Sequence, residues 1–462
     1  MDGYPRWLTS HLALMANIAS HRIAARIPPS GESVRLTYSK LSMMLRLWPL
    51  TALRQRPWPP SSAVAPRLDP SIPIEEECTP NYRPDRFYPA QLGQVLNNRY
   101  QIATKLGHGA NSTIWLARDL DCWRWSQERY VAVKIHAIQS SSRRVDSQNE
   151  VDILKHVARV DPSHKGWHFI RKLHDSFVVR GPGGDHPCLV LEALREPLWL
   201  YRRRYVDRVV PSDILKILVQ MMLHALDYLH SSCQVIHTDL KPDNVMIRVE
   251  DPAIFARDAS DEFANPLPQK ALDKGRVIYL ARNNFGPLAR PTGIIQLVDF
   301  DLAVRTSPGQ IHTGAIQGEN YRAPEVILDA GYTSSADIWS LGVMLWDLFE
   351  GRPLFDPRAP DSPDEYDEPA HLSQITALLG SPPQKLLSEG RRTAMFYEPN
   401  GMLKAPGYVP EYFTLDTSIT RMSDEEKIHF IRFVGRMLRW SPEDRSNAKE
   451  LLEDPWLYDD FS

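Results

Sequence analysis

Ile236-His237-Thr238-Asp239-Leu240-Lys241-Pro242-Asp243-Asn244-Val245 packs an acid, a cation and a carboxamide into six positions, with apolar residues on both sides. Transfer of a phosphoryl group to a hydroxyl asks for this set. A carboxylate (Asp239) takes the hydroxyl proton, an ammonium (Lys241) steadies the γ-phosphate, and an amide oxygen (Asn244) holds a metal ion. A string this short also arises by chance, so the rest of the chain decides the reading.

The chain has 462 residues, enough for two or three lobes, each with its own core. With 43% apolar and 24% charged residues and a net charge of −3, it reads as an ordinary globular protein with no global pull toward nucleic acid or membrane. Cys78, Cys122, Cys188 and Cys233 are scattered without a C-x-x-C pair, which argues against a zinc site or disulfide framework. No apolar run reaches the roughly 18 to 20 residues that a transmembrane helix needs. The first 70 residues hold nine basic side chains, eight of them arginine from Arg6 to Arg67, against Asp2, Glu32 and Asp69. That bias allows two readings, a disordered tail or a mitochondrial transit segment. A cytoplasmic or nuclear location is the general expectation, with mitochondrial targeting as the alternative.

Residues 50–97 are proline-rich with an acidic knot at Glu75-Glu76-Glu77, and read as a linker. From Tyr100 to about residue 195 the pattern is strand-like, with one helix expected over Ser147–Val157. After residue 210 the period becomes helical: Ile214, Leu215, Leu218, Val219, Met222, Ala225, Leu226 and Leu229 share a face, and further helices are expected over Ala336–Phe349 and Asp424–Leu438. Glu250 to Pro291 contains five prolines and reads as a surface-loop insertion.

Leu106-Gly107-His108-Gly109-Ala110-Asn111-Ser112 lies between two expected strands, where a hairpin can lay backbone N–H groups over phosphates. A third glycine is replaced by Ser112, and the expected flanking strands argue against a dinucleotide fold, which needs a helix immediately after the glycines. Lys134, in Val131-Ala132-Val133-Lys134, is a cation inside an apolar strand and needs an anion; Glu150 on the expected helix is its natural partner. Asp299 follows the buried-strand pattern Ile294–Val298 and offers a hard oxygen to Mg²⁺, with Asn244 as second ligand. Ala323-Pro324-Glu325, Asp337 and Arg445 follow in order. Each alone admits an ordinary reading as a hairpin, an edge-strand lysine or a polar turn. The ordered set does not.

Taken together these motifs resemble the eukaryotic protein kinases over about residues 95–460. Thr238, Ser112-Thr113-Ile114-Trp115-Leu116, Ile316-Gln317, Trp456 and Tyr88-Pro89 are similar to the SR-protein kinases, and the insertion with Pro382-Pro383 to their filamentous fungal branch. The resemblance implies an α+β, two-lobed protein kinase-like fold, with a β-rich N-lobe (95–195), a mainly helical C-lobe (196–460) and an insertion at about 250–290, behind an N-terminal extension (1–94) expected to be disordered or targeting. It implies ATP and Mg²⁺ as cofactors. Asp239 would be the base and Lys241 the γ-phosphate contact, with Asn244 and Asp299 on the metal. Leu106, Gly107, Gly109, Ile114, Ala132, Lys134 and Glu150 would bind or position the nucleotide. Leu191 would be the gatekeeper, Glu192 and Leu194 would meet adenine, Glu325 would pair with Arg445, and Asp337 would brace the catalytic loop. Protein substrates are implied, with basic Arg/Ser-rich sequences as the sharper expectation because Asp356–Glu368 carries six acids and one arginine. A monomer without direct nucleic-acid contact is expected.

Three departures matter. Thr238 stands where most kinases carry an arginine that reads a phosphorylated activation loop. Asp301 replaces a glycine after Asp299-Phe300, and Gly318 replaces a threonine that contacts the catalytic Asp. The last two keep a pseudokinase scaffold as the alternative to an active serine/threonine kinase. A small-molecule kinase fits less well, because Lys241 two residues after Asp239 suits protein kinases.

Overall fold

The computed structural model of the protein describes residues 53–80, 82–138, 147–272, 275–288, 293–359 and 362–459. The chain divides into Met1–Arg54 and Gln55–Ser462, and the second unit is described below. The arginine-rich stretch up to residue 52, with its targeting reading, lies outside the described residues.

The N-lobe is an antiparallel sheet of β1 (Val95–Leu96), β2 (Tyr100–Gly109), β3 (Ser112–Asp119), β4 (Tyr130–His136), β5 (Leu173–Gly181) and β6 (Gly184–Leu191), in the order β1-β2-β3-β4-β6-β5. Its strands are apolar at successive positions because both faces are covered. Leu116, Ala132, Leu189 and Leu191 point to the large core shared with helix α1 (Ser147–Val157). Trp115, Ala117, Val131, Val133, Ile135, Cys188 and Val190 point the other way into a second core. This is the two-residue period of a strand read on both sides.

What covers the second face corrects two expectations. Residues 55–94, read as a linker within a disordered extension, are laid onto the sheet: Ala90 is buried in the second core and Tyr88 and Leu92 pack against it. Trp58 lies 4.2 Å from the Arg118 guanidinium. The 250–290 insertion is not a surface loop. It forms α3 (Ala253–Ala264) and the hairpin β10 (Gln269–Ala271)/β11 (Val277–Tyr279), numbered after α2 (Ser212–Asp227), β7 (Leu194–Pro197), β8 (Val235–Ile236) and β9 (Val245–Arg248). Phe255 and Ala259, one turn apart, sink into the large core, and Tyr279 meets the Trp115 ring edge-on at 5.5 Å. The prolines concealed this helix because they flank it. Extension and insertion are joined by paired backbone bonds, Leu68 N–H to Gln269 O and Gln269 N–H to Pro66 O, at 2.9 and 2.8 Å.

The C-lobe is helical as expected. Helix α2 runs into a wide turn over Tyr228–Ser232, and α4 (Ser335–Phe349) is buried along thirteen of its fifteen residues, the mark of a central core helix. Helix α5 spans Glu368–Leu379. Helix α6 covers Asp424–Val434 and stops at Gly435, a poor helix former, short of the expected Leu438. Two small sheets, β12 (Ile295–Leu297)-β9-β7 and β13 (Val304–Arg305)-β8, frame the floor of the interlobe cleft. Among the described residues no helix is long and apolar enough to cross a membrane.

If the insertion is a structural cover, Tyr279→Ala should cost about 3 kcal/mol, the usual scale for emptying a buried aromatic site. Urea denaturation should show a lower midpoint with an unchanged slope. An unchanged midpoint would mean that the hairpin rests on the sheet without supporting it.

Candidate active site

Strand β4 turns Ala132, Lys134 and His136 to one face, so alternation alone delivers the lysine to the cleft. Its ammonium bonds both oxygens of Glu150 on α1, at 3.0 and 3.1 Å, and Asp299 Oδ1 at 2.5 Å. Burial alone would pull the Lys134 value down; Asp299 and Glu150 outweigh it and hold the lysine well above its ordinary value. Burial likewise opposes ionisation of Glu150 and Asp299, and Lys134 outweighs it, so both carboxyls sit below their usual range. Asp299 keeps 36% of its side chain open to the cleft. It has φ of 66°, an uncommon conformation that turns the carboxylate out of the strand direction.

The catalytic loop is held from below. Asp337, at the start of α4, accepts the backbone N–H groups of His237 and Thr238 at 2.8 and 2.9 Å, and contacts His230 Nε2 at 2.8 Å. The His237 ring packs 5.0 Å from Phe300, which ties the loop to the Asp299 segment. Asp239 Oδ2 receives Lys241 Nζ at 2.7 Å and Asn244 Nδ2 at 2.9 Å. Burial lowers Lys241, but the Asp239 carboxylate outweighs it and holds the lysine raised. Because the Asn244 amide nitrogen is committed to Asp239, its carbonyl oxygen is the acceptor left for a cation. Asp299 and that oxygen form a hard donor pair of the kind Mg²⁺ takes when phosphate oxygens complete its shell. Among the described residues no cluster of three or more His, Cys, Asp or Glu forms an all-protein metal site.

The nucleotide residues expected from the sequence lie on adjoining strands of the N-lobe sheet and on the segment that follows it. Gly107 pairs with Ile114 and Gly109 with Ser112 in the β2–β3 hairpin, Ile114 pairs with Lys134, and Ala132 with Leu191. Leu106 is half-buried against the large core. Glu192 and Leu194 follow on the strap between the lobes. The Glu192 carbonyl accepts Arg171 Nε at 3.0 Å, so one of its two lone pairs is already used. Arg445 makes a bidentate, fully buried pair with Glu325 at 2.6 and 2.7 Å.

The departures acquire specific surroundings. Thr238 Oγ1 donates to Leu302 O at 2.8 Å, a neutral bond joining the catalytic loop to the segment after Asp299. At Gly318 a Cβ would stand 3.3 Å from the Tyr321 ring, 3.7 Å from Lys241 Cδ and 3.9 Å from Asp239 Oδ1, so glycine removes a third neighbour without disturbing the Lys241–Asp239 bond. Asp301 becomes the third acid around Lys134. In Asp356–Glu368, Asp356 pairs with Arg358, Glu368 with Arg392, and Asp367 caps α5, so much of that charge is satisfied internally.

Two contributors escaped notice as site residues. His136 lies 3.4 Å from Glu150, and its place two residues beyond Lys134 on one strand was the available signal. Gln317 is a buried amide whose backbone N–H donates to Thr238 O at 2.9 Å. Its side chain spans Ala323 N–H, Ala336 O and Ser340 Oγ, each at 2.9 Å. No local pattern announces such a bridge.

Burial and Asp299 push Asp301 up to about 6, with Lys134 opposing. Its folded value lies above the unfolded one, so ionised Asp301 costs stability above about pH 6, and the cost disappears toward pH 4 and below. Asp301→Asn should therefore stabilise the unliganded protein by about 1–2 kcal/mol near pH 7 and by much less near pH 4.5. Denaturant melts at the two pH values check this; an equal gain at both would remove the electrostatic explanation.

The sequence matches the protein kinase domain family over residues 100–457. A serine/threonine protein kinase of Aspergillus fumigatus is 39% identical over 412 residues, covering 87% of this chain and 96% of that protein. The serine/threonine-protein kinase SRPK of Physarum polycephalum is 31% identical over 409 residues, covering 83% and 92%. Human SRSF protein kinase 3 is 24% identical, covering 83% and 90%. The crystal structure of a kinase domain superposes with a TM-score of 0.60 at 24% identity, over 80% of this chain and 99% of that one, which supports the fold. With an ion-paired lysine, a braced catalytic loop and these relatives, the chain belongs to the protein kinase family, and within it to the SR-protein-kinase-like serine/threonine kinases.

Proposed function

We propose that this kinase binds ATP with Mg²⁺ between its lobes and transfers the γ-phosphate to serine or threonine hydroxyls in basic, Arg/Ser-rich proteins. One observation carries the catalytic part: Asp239, Lys241 and Asn244 form one hydrogen-bonded set at the mouth of the cleft that holds the Lys134–Glu150–Asp299 triad. Lys134, oriented by Glu150, grips the α- and β-phosphates. Lys241 sits beside the base and steadies the transferring group. Asp239 orients the incoming hydroxyl and accepts its proton. Asp299 and Asn244 would hold Mg²⁺, which would supply neutralisation of the phosphate charge. The Gly107–Gly109 hairpin excludes water from above.

Two observations support the substrate class. Relatives at 24–31% identity carry the names SRPK and SRSF protein kinase. Beside the catalytic loop the Asp243 and Asp347 carboxylates repel each other, and burial pushes Asp347 up to about 6, with the Tyr321 hydroxyl bonded to it at 3.0 Å and Arg202 offsetting only in part. An incoming guanidinium would relieve both carboxylates. Thr238 carries the regulatory part of the proposal. The bond to Leu302 O does the tethering that a phosphate would do in a kinase with arginine at this position, so activity needs no activation-loop phosphate.

Radiolabel transfer from ATP/Mg²⁺ to an Arg-Ser peptide tests the function. Asp239→Ala should lower kcat about 10²- to 10⁴-fold, the usual contribution of a positioned base. Equal transfer by wild type and variant, or none by wild type, contradicts the reading. Wild-type enzyme treated with phosphatase should keep its rate; its loss would contradict the role of Thr238.

A further inference from the structure

The acidic knot ahead of the kinase fold ends on the glycine-rich hairpin. Lys105, two residues before Gly107, has a wholly buried side chain whose ammonium bonds the Glu76 carboxylate, lies 3.3 Å from Glu75 Oε2 and donates to Tyr279 O at 3.0 Å. Glu75 Oε2 is also 3.7 Å from Nε2 of His108, the residue between the two glycines, while Glu75 Oε1 accepts Ala281 N–H at 2.9 Å. At the tip of the hairpin, Arg86 donates to Asn111 Oδ1 at 3.1 Å and to Ile138 O at 3.0 Å. Residues of one segment therefore hold both ends of the hairpin.

The hairpin is held internally by its backbone ladder, and its glycines add no side-chain packing. A Cβ at Gly107 would meet nothing within 4 Å, and at Gly109 only Ser112 Oγ at 3.5 Å. Backbone N–H groups act on phosphate only at close range, so the height of the hairpin must be set from outside it. Glu75 adopts φ of 52°, a left-handed conformation rare for glutamate, and in it the carboxylate reaches Lys105, His108 and Ala281 together. Strain kept at such a junction points to a role for the side chain.

We infer that Glu75, Glu76 and Arg86 are positioning residues for phosphoryl transfer, fixing the glycine-rich hairpin over the nucleotide through Lys105, His108 and Asn111, an assignment that rests on the ATP-dependent reading above. They touch no reacting atom. Their effect should fall on nucleotide and leave the peptide alone.

The test uses the full chain. Glu75→Gln and Arg86→Gln should each raise the Kd for a fluorescent ATP analogue and the KM for ATP about five-fold, with the peptide KM unchanged. Arg83→Gln, which breaks only the exposed pair of Arg83 with Asp85 in the same segment, is the control and should leave both constants within about two-fold of wild type. Glu76→Gln alone strands a buried ammonium and endangers folding, so the pair Glu76→Met with Lys105→Met replaces it; removing both charges spares the fold, and the nucleotide defect should persist. Unchanged nucleotide constants overturn the inference. So do ATP and peptide constants that shift together with a lowered melting midpoint, the signature of a merely structural role. Nucleotide binding is read without turnover. A wild type that binds nucleotide but transfers no phosphate sinks the kinase reading while the Kd comparison still decides this one; a wild type that binds no nucleotide overturns both.

Discussion

A single ammonium in a nearly dry cleft organises this molecule. Lys134 is 7% exposed and stands among three acids, Glu150, Asp299 and Asp301, which belong to α1 and to the segment after β12. Burial opposes ionisation of the three carboxyls and of the lysine, and their mutual attraction offsets it. The interaction therefore fixes where the helix sits against the sheet and where the metal-side aspartate points. The other constraints serve it from below: Asp337 pins the backbone of His237 and Thr238, and Gln317 bridges that loop to α4. On the side of the segment after Asp299, neutral bonds from a threonine and a glutamine hold this loop.

The second theme is cover. A sheet apolar on both faces needs two partners, and here the outer one is assembled from segments far apart in sequence, the stretch around Tyr88–Leu92 and the hairpin at Val277–Tyr279. Because the insertion departs from the C-lobe between β9 and β12 and lies on β2 and β3, the same residues that complete the core also span the cleft. Stability and lobe geometry are thus joined.

Much of the site was legible because its chemistry is local in sequence. Asp239, Lys241 and Asn244 lie within six positions, and β4 announces Lys134 by placing a charge among β-branched residues. The lobes were legible because period two gives way to helical spacing near residue 210. The cover was not legible. Its proline-rich composition imitates a linker, and the helix Ala253–Ala264 buries a short Phe255–Ala259 stripe that several acids interrupt. Its worth lies in long-range pairs such as Lys105–Glu76 and Trp115–Tyr279, which no local spacing encodes. Asp301, a departure from the motif, is a member of the charge cluster around Lys134.

A double-mutant cycle on Lys134→Met and Glu150→Gln, measured as kcat/KM for phosphoryl transfer to an Arg-Ser peptide, tests the central triad most directly. If Glu150 acts by orienting Lys134, the double variant should be no worse than Lys134→Met alone, a coupling of about 2–3 kcal/mol. Losses that simply add would contradict it, because each residue would then be acting without the other.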